Sequence, residues 1–281
     1  MLIFKSVQET QSVCAQLRRE GRILGFVPTM GALHEGHLSL VRAAKAECDV
    51  VAVSIFVNPT QFGPNEDFAK YPRSFEQDCT LLEAEGAHLV FAPAAEEMYP
   101  AGTSTFVHVE GVSERLDGAS RPGHFRGVAT VVSKLFHIVC PHKAYFGQKD
   151  AAQVAVLRKM ARDLNFPAQI VVCPIVREPD GLAMSSRNRY LSPEERRQAL
   201  VLSRSLKRVE ELAACGEMSS RKLTAAAREV LAAEPSVRID YITAVDPDTL
   251  EEIDEVSSGT LFAVAAFVGS TRLIDNTILK A

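Results

Sequence analysis

The sequence lacks several features that mark special classes of protein. It has no tryptophan, no CxxC pair among its six cysteines, and no apolar run near the roughly 20 residues that a transmembrane helix needs. The longest apolar runs cover residues 50–57 and 261–268, and the first ten residues do not form a charged leader before a long apolar stretch. We therefore expect a cytoplasmic protein with reduced cysteines, no signal peptide and no membrane span.

The sequence also lacks the positive charge that is typical of nucleic-acid-binding proteins. Its 31 basic and 35 acidic residues give a net charge of -4, which argues against a nucleic-acid partner. A small anionic ligand remains compatible, because a local basic surface is enough to bind it. Residues 118–149 contain no acidic residue, and their basic residues are Arg121, Arg126, Lys134, Lys143 and Lys149. We expect Arg121, together with His124 and Arg126, to close an anion site.

Predicted strands and helices alternate along the first part of the chain. The strands are predicted at 22–27, 49–57, 88–93, 143–147 and 168–175, and the helices at 39–48, 74–86, 127–139 and 150–164. Nearly continuous apolar strands that alternate with helices are typical of a parallel sheet covered on both faces. The sequence therefore predicts an α/β fold, with a Rossmann-like doubly wound sheet in a domain that spans residues 1–175.

The pattern changes in residues 176–281. Ser192, Pro193 and Glu195 form a strong helix start with a capping box, and that helix is predicted to reach about residue 215. A second helix at 220–233 and strands at 238–245, 261–268 and 271–278 follow. Helices followed by strands without alternation indicate a smaller C-terminal α+β domain.

The first motif, PTMGALHEGH at residues 28–37, follows the first strand of the predicted parallel sheet. A turn from a strand into a helix there points backbone N–H groups and the helix dipole at a ligand. Gly31 allows a tight turn, Gly36 allows close approach, and His34 and His37 have the spacing of one helical turn. A phosphate site, a metal site and chance spacing all remain open on spacing alone. The pattern is not HExxH, and the chain has no P-loop motif and no GxGxxG after a strand.

Three further segments carry polar residues at the ends of predicted elements. Asn58 and Gln61 follow the strand at 49–57, and a neutral amide such as that of Gln61 suits hydroxyl and carboxylate groups. In the segment FGQKDAAQ at 146–153, Lys149 suits an α-phosphate, while Asp150 is either a helix N-cap or a partner for ribose hydroxyls. Ser185, Ser186 and Arg187 form either a clamp for a polyphosphate or an ordinary turn between domains.

These motifs together resemble a known family. The HxGH signature resembles the nucleotide-binding motif of the nucleotidylyl-transferase superfamily, which includes class I aminoacyl-tRNA synthetases. The longer strings FVPTMGALHEGH (26–37) and SIFVNPTQF (54–62) are similar to those of the pantothenate synthetase (pantoate–β-alanine ligase) family, and the resemblance covers nearly the whole chain. It implies an ATP-dependent ligase that condenses (R)-pantoate with β-alanine through a pantoyl adenylate and releases AMP and pyrophosphate, for pantothenate and coenzyme A biosynthesis. It also implies a homodimer.

The resemblance implies roles for individual residues. The catalytic residues are His34, His37 and Lys149, which would stabilise charge on the transferred phosphate. The resemblance gives His37 the role of a proton donor, and action of a neutral His37 by hydrogen bonding alone is an open alternative. The implied ATP-binding residues are Met30, Gly31, Ala32, Leu33, His34, Glu35, Gly36, His37, Gly147, Gln148, Lys149, Asp150, Val176, Met184, Ser185, Ser186 and Arg187. It assigns Gln61 and Gln153 to pantoate, and we place Asn58 and Arg121 with them as substrate-binding residues.

The resemblance also implies a metal ion and a moving segment. We expect Mg²⁺ on the β- and γ-phosphates of ATP, and an acidic ligand for it within residues 76–78 is an open alternative. Ser185, Ser186 and Arg187 correspond to the KMSKS loop of the class I synthetases, so we expect the C-terminal domain to act as a lid over ATP.

Two other functions remain open at the level of sequence. One is a nucleotidylyltransferase that attaches a nucleotide to another small anionic substrate and stops there. The other is a nucleotide-binding module without catalysis, which would not need Lys149 and both glutamines, Gln61 and Gln153. The ligase is distinguished from both by release of pyrophosphate that depends on pantoate, followed by release of AMP that depends on β-alanine.

Overall fold

The structure is a computed structural model that describes residues 1–64 and 66–280. The chain forms two compact units. The first unit consists of Met1–Gly147 and Val156–Pro174, and the second consists of Gln148–Ala155 and Ile175–Ala281. Gln148–Ala155 thus belongs to the second unit, although it follows a strand of the first unit directly in the chain. The expected lid movement of the C-terminal region stays a prediction.

The first unit is built on a six-stranded parallel sheet. Its strands are β1 (Leu2–Phe4), β2 (Leu24–Thr29), β3 (Val50–Ile55), β4 (Leu89–Phe91), β5 (Lys143–Gly147) and β6 (Gln169–Cys173). They lie in the order β1-β4-β3-β2-β5-β6. From β2 the chain first proceeds through β3 to β4, and then places β5 on the other side of β2. This reversal makes the carboxyl end of β2 the switch point where ligands bind in such sheets.

Helices cover both faces of this sheet. They are α1 (Val7–Arg19), α2 (Glu35–Glu47), α3 (Phe75–Glu85), α4 (Ala95–Met98), α5 (Asp117–Ser120), α6 (His124–Val139) and α7 (Ala151–Asp163), which begins in the second unit. α2 and α3 share a core with Val27, Val53 and Tyr145 on one face. Phe26 and Ala52 are buried and alternate to the opposite face, where α1 and α6 pack together and contact β2. The predicted doubly wound sheet is confirmed.

Some local features differ from the sequence prediction. β2 continues through Pro28 to Thr29, because β5 pairs with β2 only at Gly25 and Phe26, so a residue without an N–H is tolerated near its end. A 3₁₀ turn over Gln148–Asp150 precedes α7, so α7 begins after Asp150. β1 and α1 were not predicted, because β1 has only three residues and α1 is largely polar.

The second unit contains two helices and a three-stranded antiparallel sheet. The elements are α8 (Pro193–Ala214), α9 (Ser220–Leu231), β7 (Val237–Val245), β8 (Leu261–Val268) and β9 (Thr271–Ile278). The predicted capping box is present: Ser192 Oγ accepts from Glu195 N, and Glu195 accepts from Ser192 N at 2.8 Å. Leu202, Leu223 and Phe262 lie in its core. The predicted α+β architecture of this part of the chain is confirmed.

No helix in residues 1–64 and 66–280 is both long and apolar enough to cross a bilayer. The six cysteines are present as free thiols, of which Cys14 and Cys173 are buried. Burial raises the pKa of the Cys14 thiol to about 11, so this side chain behaves as a small apolar core residue.

Candidate active site

The turn between β2 and α2 lies at the switch point of the sheet. Gly31 and Ala32 both have positive φ, at 79° and 51° respectively. A positive φ is easy for glycine but costs energy for alanine, so other bonds must hold the turn in place. Thr29 supplies one of them, since its Oγ1 accepts from Gly31 N at 3.2 Å and donates to Ser54 O at 2.7 Å.

Asp78 holds the same turn from α3. Its side chain is only 1% exposed, and its two carboxylate oxygens accept from Ala32 N at 2.9 Å and from Leu33 N at 2.8 Å. The Ser74 hydroxyl donates to it as well, at 3.2 Å. A buried carboxylate that accepts two backbone N–H groups stabilises the strained turn. Asp78 therefore holds the turn of the motif in place, and we call it the clamp of this turn. From the sequence it was only an open alternative as a metal ligand.

His34 and His37 lie side by side at the start of α2. His34 is the N-cap of the helix, so it precedes the first turn, yet the two ring centroids are 4.1 Å apart. Nδ1 of His34 accepts from Gly36 N at 3.2 Å, and Nδ1 of His37 accepts from His34 N at 3.4 Å. An imidazole whose Nδ1 accepts a hydrogen bond carries its proton on Nε2. Both rings therefore present an Nε2–H donor at the positive end of α2, which is the arrangement that suits an anion.

Glu35, which follows His34 in the sequence, uses its carboxylate within the protein. It forms an ion pair with Arg42, further along α2, and Arg42 also pairs with Glu85. The carboxylate of Glu35 is thus engaged within the protein, and the role of Glu35 in ATP binding stays a prediction.

Gln61 and Met30 meet beside this turn. Gln61 is 8% exposed and donates from Nε2 to Met30 Sδ at 3.0 Å. Its Oε1 accepts from Asn58 Nδ2 at 2.9 Å. A thioether is a weak acceptor, so Nε2 of Gln61 has a stronger bond to gain from a carboxylate or hydroxyl oxygen. The first two sequence motifs are thus brought together within the first unit.

Asn58 is the structural support of that loop. It is 1% exposed, its Nδ2 also donates to Gly127 O at 3.2 Å, and its Oδ1 accepts from Tyr99 Oη at 2.9 Å. Thr60 donates to the same Oδ1 from both its N–H and its hydroxyl. Both polar atoms of the amide are engaged inside the protein, so the geometry favours a positioning role for Asn58 over direct substrate binding. Tyr99 was not among the sequence-predicted residues, and no motif marks it.

Arg121 lies close to Gln61 but is paired with a carboxylate. Its guanidinium donates to both oxygens of Glu66, at 2.7 and 2.6 Å, and a ring nitrogen of His124 lies 3.0 Å from it. Burial alone would raise the pKa of Glu66, but the hydrogen bonds and charge of Arg121 lower it to about 2. His124 Nδ1 is 2.8 Å from Gln61 O. The expected anion site at Arg121 is therefore occupied by Glu66, and the group supports the main chain at Gln61.

Two other cations of residues 118–149, which contain no acidic residue, also contact groups of the protein itself. Lys143 pairs with Glu47 at 2.7 Å, and the Arg126 guanidinium lies 3.8 Å from the centroid of the Phe106 ring. Acidic residues distant in sequence thus pair with Arg121 and Lys143. The anion site expected at Arg121, His124 and Arg126 stays a prediction.

In the second unit, Lys149 and Gln153 lie one turn apart. Lys149 is in the 3₁₀ turn that leads into α7, and its Nζ is 3.3 Å from Asp150 Oδ1. The side chain of Asn276 in β9 holds this turn, because its Nδ2 donates to the carbonyls of Gln148 and Lys149 at 3.0 and 2.9 Å. Asn276 was missed from sequence, since a single asparagine in a strand carries no motif signal.

The third motif forms a hairpin and a short turn. Met184 N donates to Val176 O at 3.0 Å, and Arg177 and Ala183 form an antiparallel bridge, so the two separated sequence segments meet. Ser185 caps the 3₁₀ turn Ser186–Tyr190 by accepting from Arg187 N at 3.3 Å. Arg177 binds Asp275 of β9 through two hydrogen bonds, at 2.6 and 3.0 Å.

In the Arg177–Asp275 pair the carboxylate is buried, whereas the Arg177 side chain is partly exposed. Asp275 is 3% exposed. Burial by itself would lower the pKa of Arg177, but the hydrogen bonds and charge of Asp275 raise it above its ordinary value. Arg177 is therefore a fixed cation that ties the hairpin to β9.

The described residues do not form a metal cage of their own. Within the described chain, no three His, Cys, Asp or Glu side chains gather in a way that could hold an ion. Mg²⁺ prefers phosphate oxygens and water with few protein ligands, so the donor set is compatible with an ion that is carried mainly by a nucleotide.

Comparison with known proteins identifies the family. The sequence profile of the family described as Pantoate-beta-alanine ligase matches residues 2–278. A pantothenate synthetase of Acidobacterium capsulatum is 70% identical over 92% of this chain and 86% of its own length. One from Koribacter versatilis is 62% identical over 100% and 97%.

Solved structures agree with the sequence relatives. A pantothenate synthetase of Thermus thermophilus superposes with a TM-score of 0.94 at 49% identity, covering 99% of both chains. A pantoate–β-alanine ligase of Francisella tularensis, complexed with β,γ-ATP and β-alanine, gives a TM-score of 0.81 at 34% identity, covering 99% of this chain and 97% of its own. These matches and the histidine pair at the switch point together show that the chain belongs to the pantoate–β-alanine ligase family.

Proposed function

We propose that this ligase joins (R)-pantoate to β-alanine through a pantoyl adenylate. In the first step a carboxylate oxygen of pantoate attacks the α-phosphorus of ATP, and the bond to pyrophosphate breaks. In the second step the β-alanine amine attacks the acyl carbon, loses a proton, and expels AMP. The observation that carries the proposal is the pair of Nε2–H donors of His34 and His37 at the start of α2.

The two histidines act on phosphate as hydrogen-bond donors. Because Nδ1 of each ring accepts a backbone N–H, the donor atom of each ring is Nε2. Donors that are already oriented stabilise charge that develops in the transition state without reorganising at that moment. A neutral imidazole suffices for this role, so His37 does not need to release a proton to the phosphate.

Gln61 binds pantoate in this proposal. Asn58 holds its Oε1, which directs its Nε2 towards Met30 Sδ. A pantoate oxygen is a better acceptor than the thioether and replaces it when substrate binds. Arg121, His124 and Glu66 support the loop, so the expected contribution of Arg121 to substrate binding becomes an indirect one.

In the second unit, Lys149 supplies a cation for the α-phosphate and Asp150 bonds to ribose hydroxyls. Ser185, Ser186 and Arg187 bind the polyphosphate, Val176 and Met184 bind ATP from the hairpin, and Gln153 contacts pantoate. The resemblance supports these residue roles, and the complex of the Francisella tularensis relative with β,γ-ATP and β-alanine supports the choice of ligands.

Mg²⁺ and a second copy of the chain complete the proposal. Mg²⁺ would neutralise charge on the β- and γ-phosphates, held mostly by ATP itself. We propose a homodimer on the basis of the resemblance, and sedimentation equilibrium at micromolar concentration measures its mass directly.

Exchange of labelled pyrophosphate into ATP tests the adenylate step. In the absence of β-alanine, we expect exchange that needs pantoate and stops when pantoate is left out. Exchange with no acid present, or none with pantoate, would contradict the adenylate mechanism. A nucleotidylyltransferase with another substrate would show exchange with that substrate and none with pantoate.

A further inference from the structure

The strand β9 carries two consecutive buried polar residues, Asp275 and Asn276, which are both 3% exposed. Successive side chains in a strand point to opposite faces, so one of two neighbours is ordinarily exposed. Leu273, on the same face as Asp275, belongs to the apolar core of the second unit. Asn276 faces the other way and is buried because the turn Gln148–Asp150 lies against it.

Every polar atom of the Asn276 side chain is used on this turn. Nδ2 donates to Gln148 O at 3.0 Å and to Lys149 O at 2.9 Å, while Oδ1 accepts from Gln148 Nε2 at 3.0 Å. Two carbonyl oxygens on one nitrogen require an NH₂ group, which fixes the orientation of the amide.

The two carbonyls flank the α-carbon of Lys149. The carbonyl of Gln148 belongs to the peptide plane before that atom, and the carbonyl of Lys149 belongs to the plane after it. Since each peptide unit is planar, holding both planes fixes φ and ψ of Lys149 and therefore the direction in which its side chain leaves the backbone. Only the side-chain torsions of Lys149 remain to be set.

Asp275 anchors the strand at the same point. One of its oxygens accepts from Asn276 N at 2.8 Å, and both accept from Arg177. The pair of residues in β9 therefore connects the hairpin of the third motif to the turn that carries Lys149, entirely within the second unit.

We propose that Asn276 is a positioning residue for the ligase reaction, acting through Lys149. Its amide aims the Lys149 ammonium at the α-phosphate during adenylation, while Asn276 itself does not touch the substrate. The inference rests on the proposed role of Lys149. Small displacements of a catalytic group lower the reaction rate by large factors. We therefore expect loss of the Asn276 amide to lower the adenylation rate about tenfold or more.

The test measures single-turnover formation of pantoyl adenylate by rapid quench at saturating ATP and pantoate. We expect Asn276→Ala to lower this rate about tenfold or more, while the KM for pantoate, from steady-state rates at varied pantoate, stays within about twofold of the parent. The attack of β-alanine on adenylate that has already formed should keep its rate. Thr277→Ala is the matched control: it removes a side-chain bond of the next residue in β9, to Glu210, and leaves the turn untouched.

A double-mutant cycle separates positioning from general damage. If Asn276 acts through Lys149, then adding Asn276→Ala to Lys149→Ala changes the adenylation rate by less than about twofold. A tenfold loss in both backgrounds, or no loss in the single variant, overturns the inference. Normal adenylation by Lys149→Ala alone would instead overturn the proposed role of Lys149. Should Asn276→Ala fail to fold, Asn276→Ser runs the same cycle, because its small hydroxyl cannot reach both carbonyls.

Discussion

At the scale of single residues, the site depends on which atom each side chain presents. The spacing of His34 and His37 in the sequence predicted that they lie close together, and in the structure their ring centroids are 4.1 Å apart. The tautomer could not be predicted, because it depends on backbone N–H groups that reach Nδ1 only once the turn has formed. The pairing of Arg121 with Glu66 was missed for a similar reason: the two residues are 55 positions apart.

Removing a phosphate donor should slow the first half-reaction. We expect His37→Ala and Lys149→Ala each to lower the rate of adenylation by on the order of 10² or more, because oriented donors and cations stabilise transition-state charge. Rapid-quench measurement of pantoyl adenylate gives the rate. His137→Ala, which removes an exposed histidine from α6, is the control and should keep the parent rate. Rates near the parent value in either site variant would refute the assignment.

The Arg121–Glu66 pair should make stability depend on pH in the acid range. Because Arg121 lowers the pKa of Glu66 from 4.5 to about 2, the pair stabilises the fold above about pH 4.5 and loses that effect as pH falls towards 2. We expect Glu66→Gln to lower the free energy of unfolding near neutral pH by about 1 kcal/mol, since water partly screens the pair. The difference should shrink between pH 4.5 and 3 in urea unfolding followed by circular dichroism. A difference that stays constant over this range would contradict the assignment.

At the scale of elements, apolar patterns predicted most strands and helices. β5, β8 and β9 have the predicted bounds, and the capping box of Ser192 starts α8 where the sequence placed it. α1 was missed because its sequence, VQETQSVCAQLRR, is largely polar and buries only Thr10 and Cys14. The turn before α2 could be located from its glycines, but its clamp could not, because Asp78 lies in another helix.

Weakening that clamp should loosen the whole turn. Asp78→Asn replaces one acceptor oxygen by an NH₂ group that faces a backbone N–H, so a buried donor loses its partner. We expect the free energy of unfolding to fall by about 1–3 kcal/mol, and adenylation to slow as the strained Ala32 relaxes. Urea unfolding measures the first effect, and Asp163→Asn, which removes an exposed carboxylate of α7, is the control. Unchanged stability with unchanged adenylation would show that the turn holds without Asp78.

At the scale of the whole molecule, the sequence predicted a doubly wound sheet followed by an α+β part, and both are present. The order of the strands explains why the HxGH motif follows β2 and no other strand: β2 is where the chain reverses direction across the sheet. The division of the chain into these two units could not be predicted from the order of the elements along the sequence, since Gln148–Ala155 belongs with the second unit. The side chain of Asn276, which donates to the carbonyl of Lys149 in this segment, lies 127 positions further along the chain.

Ion pairs between distant residues change the charge distribution that the sequence suggests. The net charge of -4 argued against nucleic acid, and the acid-free stretch suggested a basic surface. In the structure Glu47 and Glu66 neutralise two cations of that stretch. We therefore expect anion binding in the first unit to depend on oriented donors at the start of α2 more than on net charge along the sequence.

The most direct test of the account is the release of AMP from ATP by the purified protein, with each acid supplied alone and both together. Because the adenylate must form before the amine can attack it, we expect steady AMP release only when pantoate and β-alanine are both present. Pantoate alone should give at most one pyrophosphate per site, and β-alanine alone should give nothing. Steady AMP release without β-alanine, or none with both acids, would contradict the account.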